Sequence, residues 1–222
     1  MKKSAPSKSG KRKPAGTRYQ DYVIRDGKFV GKFEEMYQNS ADVPWHQDET
    51  VNAIFSDLTV AILKRRSIES LLDVGCGLGY MAERLRREIP QLKRVVGIDV
   101  SETAIARARS LFPKVEFHAA TLASLAGEEQ FDVVVSKDVL WYVLDDLAGY
   151  LAGLVRCSAR WVYIGQSFPD MRPFYGEGIL PNSAALLMYI QSRSYRIAYS
   201  VVERDADYDD REYAHVLIEV AL

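Results

Sequence analysis

The chain has 222 residues, with 29 Lys and Arg against 30 Asp and Glu and a net charge of -1 at pH 7. That balance excludes a protein built around bulk attraction to nucleic acid, while 48% hydrophobic residues suffice for a real core in one domain of the larger kind. Cys76 and Cys157 supply neither a disulfide framework nor a zinc-type spacing, which points to a reducing compartment and no metal.

Residues 1–17 are mostly Lys, Arg, Ser, Pro and Gly, and bury too little to repay their ordering, so a disordered basic tail is expected. Its cluster of Lys8 and Lys11-Arg12-Lys13 offers contacts to anionic partners, although the composition favours a solvated tail. No apolar run follows Lys13 as in a signal peptide, and none elsewhere is long enough for a bilayer. A soluble, cytoplasmic protein is expected.

Residues 18–66 read as an N-terminal extension and lid helix. Phe29, Phe33, Tyr37 and the turn-like Asp26-Gly27 stand in a segment without a clear period. A helix is predicted after Pro44, with Val51, Ile54, Phe55, Leu58 and Ile62 spaced onto one face. Lys64-Arg65-Arg66 falls in its last turn, where cations suit the helix dipole. From 67 to 222 the pattern alternates. Strands are predicted at 70–74, 94–100, 115–118, 131–136 and 161–165, with helices at 80–89, after Ser101, from about 145 to 155, and after Asn182. Strands at 195–203 and 212–220 then follow each other directly, so their short connection requires an antiparallel pair. The expected fold is α/β: a Rossmann-like, mostly parallel seven-stranded sheet with helices on both faces and a C-terminal antiparallel hairpin.

Leu71-Leu72-Asp73-Val74-Gly75-Cys76-Gly77-Leu78-Gly79-Tyr80 sets strand, glycine turn and helix start in order. Tyr80 stands beyond Gly79, so the spacing is Gly-x-Gly-x-Gly rather than the dinucleotide fingerprint, which disfavours a nicotinamide dehydrogenase; a Walker A loop is excluded. Asp73 before the glycines suits a cationic or amine-bearing ligand better than a pyrophosphate. The segment resembles the first motif of class I methyltransferases, in which an acidic residue precedes a Gly-x-Gly-x-Gly loop. By that resemblance Asp73, Gly75 and Gly77 line the methionine part of S-adenosylmethionine, with Cys76 and Gly79 completing the cofactor-binding loop.

About twenty residues on, Asp99 ends a strand and is followed by Val100 and Ser101. The interval is that of an acid bonding both ribose hydroxyls. Ser101 fills the helix cap, leaving Asp99 for the ligand, with Val100 beside it. In the family the third strand end supplies an adenine contact, often Asp; this chain departs from that pattern and offers Thr121 and the backbone N–H of Leu122. His118 nearby reads as a strand-end residue without a role. Ser136, Lys137 and Asp138 close a strand resembling the family's fourth motif, with Trp141 and Tyr142 following. The Asn/Asp-Pro-Pro-aromatic signature of amino-methylating nucleic-acid enzymes is absent.

Methyl transfer needs a dry pocket that aligns acceptor, methyl and sulfur. Two aromatic segments qualify as lids: 37–46, with Tyr37 and Trp45, and 168–178, with Phe174 and Tyr175. A hydroxyl acceptor needs a base where an amine needs none, and His46, then Asp138, are the candidates. Pro44-Trp45 and Asp138-Val139-Leu140-Trp141-Tyr142 also resemble small-molecule N-methyltransferases of the nodulation-factor type, which methylate an amino sugar. The resemblance implies an S-adenosylmethionine-dependent methyltransferase for a small-molecule acceptor, an amine or hydroxyl on a sugar or natural-product intermediate. The alternatives are an RNA or protein methyltransferase anchored by the tail, and a catalytically silent S-adenosylmethionine-binding regulator. No membrane partner is expected, and nucleic acid is disfavoured.

Overall fold

In the computed structural model, which describes residues 18–40, 42–125, 129–170, 172–205 and 211–220, the extension forms structure of its own. The basic tail predicted at 1–17 lies outside the described residues. Helix α1 (Gln20–Val23) leads into a hairpin of β1 (Ile24–Arg25) and β2 (Lys28–Phe29). Asp26 and Gly27 both take positive φ there, as a two-residue hairpin turn demands. Helix α2 (Phe33–Asn39), a helical turn at Pro44–His46, α3 (Gln47–Thr50) and α4 (Ile54–Lys64) follow.

The single helix predicted after Pro44 is therefore two helices with a break at 51–53. The carbonyls near the break are turned to side chains: Ser56 Oγ donates to Thr50 O at 2.8 Å, and the Arg84 guanidinium donates to Val51 O. The face of α4 shifts accordingly. Phe55, Ser56, Thr59, Val60, Ile62 and Leu63 are buried, whereas Ile54 is 57% exposed.

The core then alternates as expected: β3 (Ser70–Val74), α5 (Tyr80–Glu88), β4 (Arg94–Asp99), α6 (Glu102–Leu111), β5 (Glu116–Ala119), α7 (Leu122–Leu125), β6 (Phe131–Lys137), α8 (Leu147–Arg156), β7 (Ser158–Phe168), α9 (Ser183–Ser192), β8 (Arg196–Asp205) and β9 (Arg211–Glu219). Ser101 and Asn182 cap α6 and α9, their side chains accepting from Ala104 N and Ala185 N. The sheet order is β5-β4-β3-β6-β7-β9-β8, parallel through β7. The C-terminal pair is antiparallel, but its second strand inserts between β7 and β8, antiparallel to both. β7 is longer than predicted and lies beside β9 from Trp161 to Phe168. Among the described residues no helix is long and apolar enough to cross a membrane.

Strand parity divides the core. Leu72, Val134, Val162 and Val216 pack with Leu151, Leu154, Leu186 and Ile190 of α8 and α9. Leu71, Val133, Val135 and Leu217 pack with Val60, Leu63, Leu85 and Ile105 of α4, α5 and α6. A polar chain threads this second face. Tyr163 OH lies 2.7 Å from both Thr59 Oγ1 and His215 Nδ1, and His215 Nε2 lies 3.0 Å from Glu203. Burial, with Lys137 nearby, outweighs the opposing pull of Asp138 and holds His215 down to about 4. Tyr163→Phe leaves the buried His215 Nδ1 without its partner, while Thr59 Oγ1 keeps its bond to Phe55 O at 2.8 Å, so a loss of about 1–3 kcal/mol is expected in urea unfolding; a loss below 0.5 kcal/mol contradicts this.

Candidate active site

Parallel strands leave their carboxyl ends level: Val74 pairs with Ile98 and Ser136, Asp99 with Ala119, and Lys137 with Gly165. At that edge one cavity of about 990 Å³ opens. Asp73, Gly75, Cys76, Asp99, Val100, Thr121 and Leu122 line it, as do Tyr37, Trp45, His46, Asp138, Trp141 and Tyr142.

Asp73 is buried at the end of β3, and loss of water raises its carboxyl to about 7. Nearby Lys137 favours the ionised form, while Asp99 opposes it. Burial also raises Asp99, whose carboxylate accepts from Gly77 N and Ser101 N, each at 3.0 Å. A carboxylate has about four acceptor positions, so two remain for a ligand. Gly77 adopts φ 55°, and a Cβ there would strike the Gln47 amide and lie 2.7 Å from Tyr37 OH. The loop is thus roofed by the extension: Gln47 Oε1 accepts from Leu78 N at 2.9 Å, and its Nε2 lies 3.4 Å from Tyr37 OH. Gln47 escaped sequence reading because nothing local marks an amide that docks onto a loop thirty residues away.

Not every predicted residue reaches the cavity. Ser136 is fully buried, its Oγ 2.9 Å from Tyr150 OH, because it shares strand parity with Val134 and faces α8. Gly77 and Gly79 shape the loop without lining the space; Gly79 leaves room for the Phe117 ring. Phe174 packs edge-on against Trp141 at 5.5 Å, and Tyr175 stacks on Phe29 at 6.0 Å, so both buttress the wall from behind. His118 is exposed and paired with Glu116 at 2.8 Å.

Trp45 and His46 take positive φ in succession, 55° and 48°. Such strain persists only where surroundings impose it. Here Trp45 is gripped by Tyr19, Phe33, Tyr37 and Tyr142, with ring centres 5.6–6.3 Å away. His46 lies on the cavity with its side chain 55% exposed and Nδ1 4.0 Å from Glu49. Asp138, also at positive φ, has both oxygens engaged: Oδ1 by Ser167 N at 2.9 Å, Oδ2 by Tyr213 OH and Lys137 Nζ at 3.2 Å each.

The extension is fastened by Glu34. Its carboxylate accepts from Ser101 Oγ at 2.6 Å and from Thr103 Oγ1 and N at 2.5 and 3.2 Å, which hold it down to about 2. A depressed carboxyl stabilises the docked form above its unfolded value, near 4.5, and loses that contribution as pH falls towards 2. Glu34→Ala is expected to speed proteolysis within residues 20–50 at pH 7 severalfold, and the wild type should acquire the same sensitivity only between pH 4.5 and 2. Equal rates at pH 7 would remove the fastening.

The residues fit S-adenosylmethionine. Asp73, raised by burial, calls for a cationic partner, Asp99 keeps two acceptor positions towards the cavity, and the glycine loop admits close approach.

Residues 71–159 match the family described as a methyltransferase domain. The chain is 32% identical over 105 residues to malonyl-acyl-carrier-protein O-methyltransferase of Bacillus cereus, covering 45% of this chain and 39% of that protein. It is 33% identical over 100 residues to trans-aconitate 2-methyltransferase of an Acidovorax species, covering 45% and 38%. These matches span about two fifths of each relative. Among solved structures, the N-methyltransferase NodS of Bradyrhizobium japonicum in complex with S-adenosylhomocysteine superposes with TM-score 0.62 at 18% identity, over 85% of this chain and 98% of that one. Residues 71–159 thus form a methyltransferase domain, and the sheet order and glycine loop agree with the class I S-adenosylmethionine-dependent methyltransferase fold.

Proposed function

We propose that the protein transfers a methyl group from S-adenosylmethionine to an amine or hydroxyl of a small molecule. The observation that carries this reading is a cavity of about 990 Å³, lined both by the two strand-end carboxylates and by the aromatic wall of Trp45, Trp141 and Tyr142. That space suits a cofactor and a small acceptor together. Both relatives named above act on small acids or their carrier-bound forms by their names.

When bound, the cofactor supplies a methyl on a sulfonium and leaves as the thioether S-adenosylhomocysteine. Asp73 holds the amino group, Asp99 the ribose hydroxyls, and Thr121 and Leu122 flank the base. Residues 18–66 act as the lid, with Tyr37 and Gln47 excluding water from the loop. Trp45, Trp141 and Tyr142 position the acceptor. For a hydroxyl acceptor, His46 takes the proton; Asp138, its oxygens already engaged, holds the wall in place. His46→Gln is expected to lower kcat for such an acceptor about 100-fold or more with S-adenosylhomocysteine affinity unchanged.

Methyl-labelled S-adenosylmethionine incubated with fractionated cell extract tests the assignment. Label in the small-molecule fraction is expected. Label confined to RNA or protein would replace the acceptor class, and cofactor binding without any turnover would favour a regulator.

A further inference from the structure

We propose that the N-terminal extension reads the α-carboxylate of the cofactor, through the Tyr37 hydroxyl and the Gln47 side-chain amide, so that this one group of the ligand fastens the lid; the inference rests on the S-adenosylmethionine reading above. The amino-acid end of that cofactor carries an ammonium and a carboxylate. Asp73 answers the ammonium, and with Asp99 it makes this end of the cavity hostile to a further anion unless donors meet it. The glycine loop has no backbone donor to give between Gly75 and Gly79. Gly75 N and Cys76 N both donate to Ile98 O, at 2.8 and 2.9 Å, Gly77 N to Asp99, Leu78 N to Gln47 Oε1, and Gly79 N to Cys76 O at 2.9 Å.

The roof over the loop holds unspent donors. Tyr37 and Gln47 both line the cavity and both crowd Gly77. The bond from Leu78 N fixes which way the Gln47 amide points, with its oxygen on Leu78 N and its nitrogen towards Tyr37 OH at 3.4 Å. That nitrogen carries two hydrogens and spends one, at long range, on Tyr37. Tyr37 OH accepts that bond, and its own hydrogen has no acceptor among the described residues. Burial, reinforced by Asp99, pushes the Tyr37 hydroxyl well above its ordinary value of 10, so it stays protonated and able to donate. Two neutral donors side by side match the two oxygens of one carboxylate.

The backbone is strained where it delivers one of these donors. Trp45 and His46, at φ 55° and 48°, turn the chain immediately before Gln47, the first residue of α3, and strain of this kind collects at ligand clamps. Tyr37 lies on α2, which Glu34 ties to Ser101 and Thr103, and Ser101 N is itself bonded to Asp99. The lid residues that meet the carboxylate are thus linked to the acid that holds the ribose. Lys137 also lines the cavity and its charge reaches Asp73, but its ammonium is engaged by Asp138 and lies 4.6 Å from the centre of the Phe55 ring.

The probes are S-adenosylhomocysteine and its decarboxylated analogue, which keeps the ammonium and the ribose and lacks only the carboxylate; each is titrated by calorimetry. The wild type should prefer S-adenosylhomocysteine by about tenfold or more. Tyr37→Phe should weaken S-adenosylhomocysteine about fivefold and leave the analogue within about twofold of its wild-type affinity. Gln47→Glu keeps an acceptor for Leu78 N but sets a negative charge where the carboxylate comes, so it should erase or reverse the preference. Binding of the analogue reports that each variant is folded. In limited proteolysis at saturation, S-adenosylhomocysteine should protect residues 20–50 more strongly than the analogue does. Equal wild-type affinity for the two ligands, a preference that survives both variants, loss of the preference in Lys137→Met instead, or equal protection by the two ligands overturns this inference alone. Failure of both ligands to bind the wild type removes the S-adenosylmethionine reading, and this inference with it.

Discussion

Replacing Asp73 with asparagine is expected to make the free protein more stable while weakening its hold on S-adenosylmethionine. The buried carboxyl titrates near 7 in the fold, because burial opposes its charge, against 3.8 for an ordinary aspartate. The folded state therefore binds the extra proton between about pH 4 and 7. Stability falls as pH rises through that window and levels off above it. Three pH units at 1.36 kcal/mol each put the cost at roughly 4 kcal/mol as an upper value. The asparagine variant escapes it, so urea midpoints at pH 7.5 should rise in Asp73→Asn, whereas those near pH 4 should coincide. Cofactor binding runs the other way. Only the ionised form attracts an ammonium, so wild-type affinity should climb by nearly tenfold per unit from pH 5.5 towards 7, then flatten. In Asp73→Asn the slope should vanish and affinity at pH 7.5 should drop tenfold or more. A wild type with flat affinity from pH 5.5 to 7.5 would separate Asp73 from the cofactor.

Asp99→Ala should be the most damaging single change to cofactor binding. Two of the carboxylate's acceptor positions are filled by Gly77 N and Ser101 N, leaving two for neighbouring hydroxyls. Hydrogen bonds to a charged partner contribute about 1.5–3 kcal/mol each, so losing both corresponds to about 3 kcal/mol or more, a hundredfold or greater rise in Kd. Asp99→Asn keeps the shape and should fall between the two. The variant also releases the Gly77 amide, so unfolding must be followed in parallel; a hundredfold loss of affinity with a Tm shift of a few degrees supports the ribose role. Tight S-adenosylhomocysteine binding by Asp99→Ala would refute it.

The features legible in the sequence are those set by neighbours in the chain. The glycine turn after β3 is fixed by Gly75, Gly77 and Gly79, all at positive φ. The caps at Ser101 and Asn182 need only a backbone N–H three residues on. Hidden features depend on distant segments. At the break at 51–53 the Val51 carbonyl is taken by Arg84, thirty-three residues away, and the insertion of β9 between β7 and β8 is a choice of neighbour that the strand pattern leaves open. The wall of Phe55, Lys137 and Tyr213 joins a helix to two strands that no spacing links. Ser136 is different: the period-two rule already set it opposite Lys137, so its turn away from the cavity was available to sequence reading and was missed.

Calorimetric titration of S-adenosylhomocysteine, with NAD as the comparison, tests the central claim most directly. Saturable one-to-one binding of S-adenosylhomocysteine is expected, with no heat of binding from NAD. Saturable binding of NAD with no response to S-adenosylhomocysteine would contradict it.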